Sequence, residues 1–242
     1  MQVIDCIWEQ KNIGKKTLEI VIEETDLFDG KLIEQQTKDY EYVVVKVPMN
    51  MPEFNIGLCF LDFACIESQM NMGISYDAFD FSKISHFYND TKYEIVDSQS
   101  DFTSVVSRIQ PGMFSTDRIA IDSVFGESAG CQRYINWVTS EYQKNSSQLI
   151  KVIYKDEHVG FMLIKVMNET IHLLLNGLYK PYQGKGLGML TPASPMMYAK
   201  KANLPTLKEE TSISSNNVPV VKLYNRLGFQ ILNQAYVFIK HQ

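Results

Sequence analysis

The segment from Leu178 to Gly188 reads Leu-Tyr-Lys-Pro-Tyr-Gln-Gly-Lys-Gly-Leu-Gly. Gly184, Gly186 and Gly188 therefore fall at alternate positions between an apolar run and the start of a helical pattern. Glycines placed there let backbone N–H groups approach a phosphate closely and point at it, while the dipole of the following helix favours negative charge. Two common phosphate loops are excluded. A dinucleotide fingerprint needs a further glycine where Met189 stands, and a Walker A loop needs Gly-Lys-Ser/Thr after four spacer residues. What remains is a plain turn at a helix start or an anion loop of another kind.

A second segment, Asn217 to Phe229, has the marks of one short helix. Asn217 is a good N-cap and Pro219 sits harmlessly in the first turn. Val220, Leu223, Tyr224 and Leu227 mark the buried face, Gly228 closes the helix, and Lys222 and Arg226 suit its negative end.

The elements that must position these segments follow from periodicity. Thr17–Glu23 and Tyr42–Val47 read as strands, the second apolar enough to be buried on both faces, and Pro48 ends it. Residues 51–61 read as a short helix leading into a strand over 63–72. Phe102, Val105, Val106 and Ile109 have helical spacing that Pro111 and Gly112 stop, and another helix is expected over 128–142. Strands follow over 149–154, 159–166 and 170–178, the first two joined as a hairpin by a turn at Lys155–His158. A helical stretch from Gly188 to Ala202, a strand over 207–213, the Asn217 helix and two strands, 229–232 and 236–240, complete the chain. The polar stretch from Ser75 to Asp101 is the expected domain boundary.

The chain has 242 residues, 45% apolar and 21% charged, enough to bury a core. No apolar run approaches the length of a membrane span, and residues 1–15 lack the apolar core of a signal peptide. Cys6, Cys59, Cys65 and Cys131 have neither metal-ribbon nor disulfide-framework spacing, so no metal site and a cytoplasmic location with reduced thiols are expected. A net charge of −5 and the lack of a basic aromatic patch argue against nucleic acid as a partner. The charge is unevenly spread. Residues 1–150 carry 12 basic and 23 acidic side chains, a net of −11, and residues 151–242 carry 11 and 5, a net of +6. The second part suits an anionic ligand.

Together the two segments resemble the GNAT superfamily of N-acetyltransferases. Gln183 to Gly188 is similar to its Gln/Arg-x-x-Gly-x-Gly/Ala acyl-CoA pyrophosphate loop. Asn217 to Phe229 is similar to its Asn-x-x-Ala-x-x-Leu-Tyr-x-x-x-Gly-Phe segment, with Val220 in the usual alanine place. The resemblance covers about residues 101–242. It implies an α/β (α+β) GNAT fold with a central mixed, largely antiparallel sheet flanked by helices, and an acetyl-CoA-dependent N-acetyltransferase. It further implies that the strand end at Leu178 and Tyr179 meets the pantetheine and the acetyl group. Gln183, Gly184, Lys185, Gly186, Leu187 and Gly188 would hold the pyrophosphate. Asn217 would contact the cofactor or only cap its helix, and Tyr224 would protonate the departing CoA thiolate or serve as a core aromatic. Pro192 and Pro195 depart from the pattern, because the family has a continuous helix there; a restart with Thr191 or Ser194 as N-cap and Pro195 at N1 is the expected remedy.

The first 100 residues exceed a minimal domain of this kind. Residues 51–67 repeat the helix, turn and strand of residues 218–232. The arrangement resembles the nucleotide-sugar N-acetyltransferases of bacterial surface-polysaccharide synthesis, such as those acting on dTDP-fucosamine, in which a truncated GNAT-like domain (here 1–100) precedes the catalytic one (101–242). That resemblance implies a dTDP-linked amino-dideoxy sugar as acceptor, O-antigen or capsule synthesis as setting, direct attack in a ternary complex, and a homodimer by family habit. The sugar diphosphate would meet Arg118 or Arg133. Other primary amines (a small metabolite, an antibiotic or a protein N-terminus) and a non-catalytic acyl-CoA sensor are the alternatives. A base must take a proton from the amine. His86, His172, Asp122 and Glu127 are candidates, while His158 at a turn and His241 at the tail are expected to be structural or solvated.

Overall fold

The computed structural model describes residues 1–242. It contains β1 (Gln2–Asp5), α1 (Ile7–Ile13), β2 (Thr17–Val21), α2 (Gly30–Thr37), β3 (Tyr42–Pro48), α3 (Pro52–Phe60), β4 (Ala64–Ser75), α4 (Ser85–Tyr88), β5 (Thr91–Ile95) and α5 (Gln99–Val106). There follow α6 (Arg118–Ile121), α7 (Gly126–Lys144), β6 (Gln148–Tyr154), β7 (Glu157–Met167), β8 (Thr170–Leu178), α8 (Leu190–Ala202), β9 (Lys208–Ser214), α9 (Val218–Leu227) and β10 (Gln230–His241).

All ten strands form one mixed sheet in the order β1-β2-β3-β10-β4-β9-β8-β7-β6-β5. Only β2/β3 and β8/β9 are parallel pairs. The two parts of the chain interleave: β4, from the first hundred residues, lies between β9 and β10, from the last thirty-five. A division at residue 100 falls inside α5, and strands from both sides of it alternate in the sheet.

The valines of β3 show why this strand sits inside. Val43, Val45 and Val47 pack with Leu18, Ile20, Ile33, Phe54 and Leu58 on one face. Val44 packs with Tyr42, Ile119, Val237 and Ile239 on the other. The largest core lies between β4 and β6 to β8 on one side and α8 and α9 on the other, with Met72, Met162, Ile171, Leu173, Met196 and Tyr224 at its centre. On the opposite face α5 and α7 cover β6 to β8 through Val105, Val138, Leu149, Phe161 and Leu163.

Several sequence expectations change in detail. The turn between β6 and β7 has two residues, Lys155 and Asp156, both with positive φ, the geometry that matches the twist of a hairpin. The chain end is one strand, because Asn233 and Gln234 pair with β4 despite their polarity, and its irregularities are two register shifts, at Leu232 and between Val237 and Phe238. The helix after the glycine loop does not restart at Thr191 or Ser194; α8 runs through Pro195 without a break, and Ser194 is buried inside it. Gly160 in β7 is required by close packing, since a Cβ there would collide with the carbonyl oxygen of Gly177. No helix is long and apolar enough to cross a membrane.

Candidate active site

The parallel pair β8/β9 holds register for only four residues, from Thr170↔Lys208 to Leu173↔Thr211. Beyond that point the strands part. The Thr211 hydroxyl donates to the Leu173 carbonyl at 3.0 Å and closes the vertex. The separation coincides with a bulge in the β7/β8 ladder at Leu174. A bulge leaves one residue unpaired and bends its strand. From Leu174 to Leu178, β8 has no partner on its β9 side, a free edge of about 13 Å at roughly 3.3 Å per residue.

The glycine loop lies at the far end of that edge. Gly184 and Gly186 have φ of +72° and +79°, values at which a side chain is strained. Nothing in the chain accepts from the N–H groups of Gly184, Lys185 or Gly186, and all three residues are exposed. Leu187 and Gly188 open a short 3-10 turn that runs into α8, so their N–H groups belong to the unpaired start of a helix. The loop is thus a row of exposed donors at the positive end of a helix dipole, able to hold a diphosphate. Lys185 adds a charge at its rim, its Nζ 5.7 Å from the Tyr182 ring centre.

Tyr224 meets the vertex from the α9 side. It is 2% exposed, and its hydroxyl reaches Thr211 and Asn176. Burial, reinforced by Glu209, holds the phenol well above its ordinary pKa. A buried thiolate is disfavoured by the same burial, so proton transfer between the two is not penalised by the environment alone. Glu209 is fully buried with neither carboxylate oxygen hydrogen-bonded, and desolvation pushes it far toward the neutral acid.

The structure brings some of the sequence-selected residues together and not others. Gln183 donates from Nε2 to the Leu178 carbonyl at 2.9 Å, and the Tyr179 N–H donates to the Val159 carbonyl. The Leu178 carbonyl and the Tyr179 N–H thus both make hydrogen bonds within the chain. The Tyr179 ring is buried, with its hydroxyl 3.1 Å from His158 Nε2. The rest of the free edge, Leu174 to Gly177, lies deeper, with Asn176 beside Tyr224. Asn217 caps α9, its Oδ1 accepting from the Val220 N–H. Asn176 and Thr211 were not singled out from sequence, although an asparagine inside the apolar run Leu173 to Leu178 is a legible signal.

The remaining candidates separate cleanly. His158 is depressed to a pKa of about 4, first by burial and then by Arg108. His241 pairs with Asp122 at 2.8 Å, which ties β10 to the α6–α7 connection and removes both from the site. His86 packs at a tilt against Phe87, and Glu127 stands in the first turn of α7. His172 pairs in register with Glu210, one step before the vertex, its Nδ1 3.8 Å from Glu210 Oε2. Arg118 and Arg133 both contact the buried Glu9, at 2.6 and 2.9 Å, and Arg133 also contacts Asp117. No three His, Cys, Asp or Glu side chains gather as a metal site would require.

No protein-family model and no curated protein matches the chain. Solved structures do match in shape. A functionally unknown conserved protein from Staphylococcus epidermidis superposes over 98% of this chain and 89% of its own, with a TM-score of 0.65 and 15% identity. A GCN5-related N-acetyltransferase from Sphaerobacter thermophilus covers 99% of this chain and 75% of its own, at a TM-score of 0.63 and 12% identity. A tandem GNAT protein from the clavulanic acid biosynthesis pathway covers 93% and 75%, at 0.56 and 10%. The chain has the fold of the GCN5-related N-acetyltransferases, in an architecture like that of a tandem GNAT protein.

Proposed function

We infer that this protein transfers an acetyl group from acetyl-CoA to a primary amine. One observation carries the reading: the free edge of β8 joins an exposed anion loop at one end to a buried tyrosine at the other. Acetyl-CoA is a diphosphate and a thioester joined by an extended arm, and it fits that layout. The diphosphate is held by the N–H groups of Gly184, Gly186, Leu187 and Gly188, with Lys185 beside it. The arm lies along Leu174 to Gly177 as a substitute strand. This moves the thioester from Leu178 and Tyr179 to the vertex.

In the reaction the amine lone pair attacks the thioester carbonyl carbon, the carbon–sulfur bond breaks, and the Tyr224 hydroxyl gives its proton to the leaving sulfur. The surplus proton of the amine goes to His172, which stands beside the vertex on the opposite face of the sheet from Tyr224. Acid and base are then separated by the plane of the sheet, and the acceptor approaches from the His172 side.

A nucleotide-linked amino sugar for surface-polysaccharide synthesis is one acceptor this chemistry would serve. Its diphosphate would have to draw Arg118 and Arg133 away from Glu9 and Asp117. The test of the general reading is free-thiol release from acetyl-CoA over a panel of amines. Release dependent on one amine class supports it; acetyl-CoA bound without release for any amine would leave a binding protein.

A further inference from the structure

The face of the sheet on the His172 side carries a patch of polar side chains, a floor bordered by Leu232 over Gly73 and by Ala235 opposite Gln69. Antiparallel partners share a face, and residues two apart on a strand share it too. Asn71 pairs with Ser212 on β9 and with Asn233 on β10, and Gln69 pairs with Ser214. Asn71 Nδ2 donates to Asn233 Oδ1 at 2.6 Å, and Gln69 Nε2 donates to Ser212 Oγ at 2.8 Å, both in exposed positions. These five side chains spread over β10, β4 and β9 offer amide and hydroxyl groups and no formal charge. They begin one residue past the vertex, since Ser212 follows Thr211.

Charge appears only at the two ends. At one end Glu67 reaches Ser214, and burial raises its pKa. At the other, Glu210 is held by Lys208 at 2.6 Å and faces His172, with Lys165 next in line on β7. The buried guanidinium groups of Arg118 and Arg133 are committed to Glu9 and Asp117. A phosphate lying on the floor would meet only neutral amides and serines, and cations at its ends are already paired, Lys208 with Glu210, Lys46 with Glu19 and Arg118 with Glu9. A hydroxyl-bearing molecule would find a donor and an acceptor at each step, because each amide and each hydroxyl offers both.

We propose that the acceptor is a polyhydroxylated amine without phosphate, of the free amino-sugar class, recognised through Gln69, Asn71 and Ser212. The inference rests on the acetyl-transfer reading above. It also explains why the first part of the chain is woven into the second, since β4 enters the catalytic sheet beside β9 and lays half of the acceptor floor.

The experiment is steady-state thiol release from acetyl-CoA by the full chain with matched amines. Glucosamine is compared with phosphorylated glucosamine, a free aminodideoxy sugar with its dTDP-linked form, and kanamycin with spermidine. Acetyl-CoA affinity is titrated separately. The expected result is a kcat/KM at least about tenfold higher for the phosphate-free member of the first two pairs, and for kanamycin over spermidine. Asn71→Leu should raise the KM of that amine about tenfold, the effect of losing one or two hydrogen bonds, while acetyl-CoA affinity stays unchanged. Preference for a phosphorylated or dTDP-linked sugar overturns the proposal. So does turnover confined to spermidine, or an amine KM indifferent to Asn71→Leu. Acetyl-CoA that fails to bind at all overturns the acetyl-transfer reading instead.

Discussion

Asn176 Nδ2 donates to the carbonyl oxygen of Thr191 at 2.7 Å, the carbonyl that Pro195 leaves without its helical donor. Proline lacks the N–H that would bond four residues back. A residue on the free edge of β8 thus repairs the helix that follows the glycine loop, which is how α8 tolerates Pro195 in its second turn.

Asn176→Ala should cost about 1–3 kcal/mol, the usual penalty for a buried acceptor left unpaired. In a Pro195→Ala background the same change should cost less, because the restored N–H at 195 can take up the Thr191 carbonyl. Urea denaturation of the four proteins of this double-mutant cycle measures the coupling. Equal costs in both backgrounds would refute the repair.

Gly186→Ala should weaken acetyl-CoA binding about tenfold or more while leaving the fold largely intact. No atom lies within 4 Å of the Cβ it would add, so the difficulty is backbone alone, at φ +79°. That conformation costs a side-chain-bearing residue about 1–2 kcal/mol, and a loop that relaxes to escape it re-aims its N–H groups. Calorimetric titration with acetyl-CoA, beside a melting curve, separates the two effects.

Glu209 makes stability fall with rising pH. Its carboxyl pKa in the fold is raised far above the ordinary value of 4.5 by desolvation, so the folded chain binds a proton that the unfolded chain releases. The folded state is fully favoured below about pH 4.5 and loses that advantage as pH rises toward the raised folded value. Glu209→Gln, neutral at every pH, should match the wild type in urea midpoint near pH 4.5 and exceed it at pH 8. Parallel pH profiles for the two proteins would contradict the neutral buried acid.

Glu9→Ala should be among the most damaging changes far from the site. Glu9 has a side-chain exposure of 4% and holds Arg118 and Arg133, themselves at 12% and 13%. Removing one member of a buried ionic cluster costs about 3–5 kcal/mol, because the partners stay buried without compensation. The loss should appear in denaturation midpoints and change little with added salt.

What could be read from sequence was what local chemistry encodes. The α9 helix is marked at both ends by Asn217 and Gly228, and the loop before α8 by Gly184 and Gly186, whose positive φ favours glycine. The α7 helix and strands β6 to β8 followed from periodicity. Long-range pairings left no comparable trace. Nothing in Ala64–Ser75 states that it will lie between β9 and β10, and Asn233-Gln234 reads as a break because its partners, Asn71 and Met70, are over 160 residues away. The same distance hid the acceptor floor, whose members come from three strands. Arg118 and Arg133 looked available because their partner, Glu9, sits in a seven-residue helix near the start of the chain. Glu209 was unreadable for the opposite reason, since a charged residue in a strand is ordinarily taken to face water.

The most direct test of the account is Tyr224→Phe, which removes one hydroxyl from a buried ring. Thiol release from acetyl-CoA with a productive amine should drop on the order of a hundredfold, the scale of a lost general acid, while acetyl-CoA affinity measured by titration stays unchanged. Turnover equal to that of the wild type would contradict the placement of the thioester at the vertex beside Tyr224.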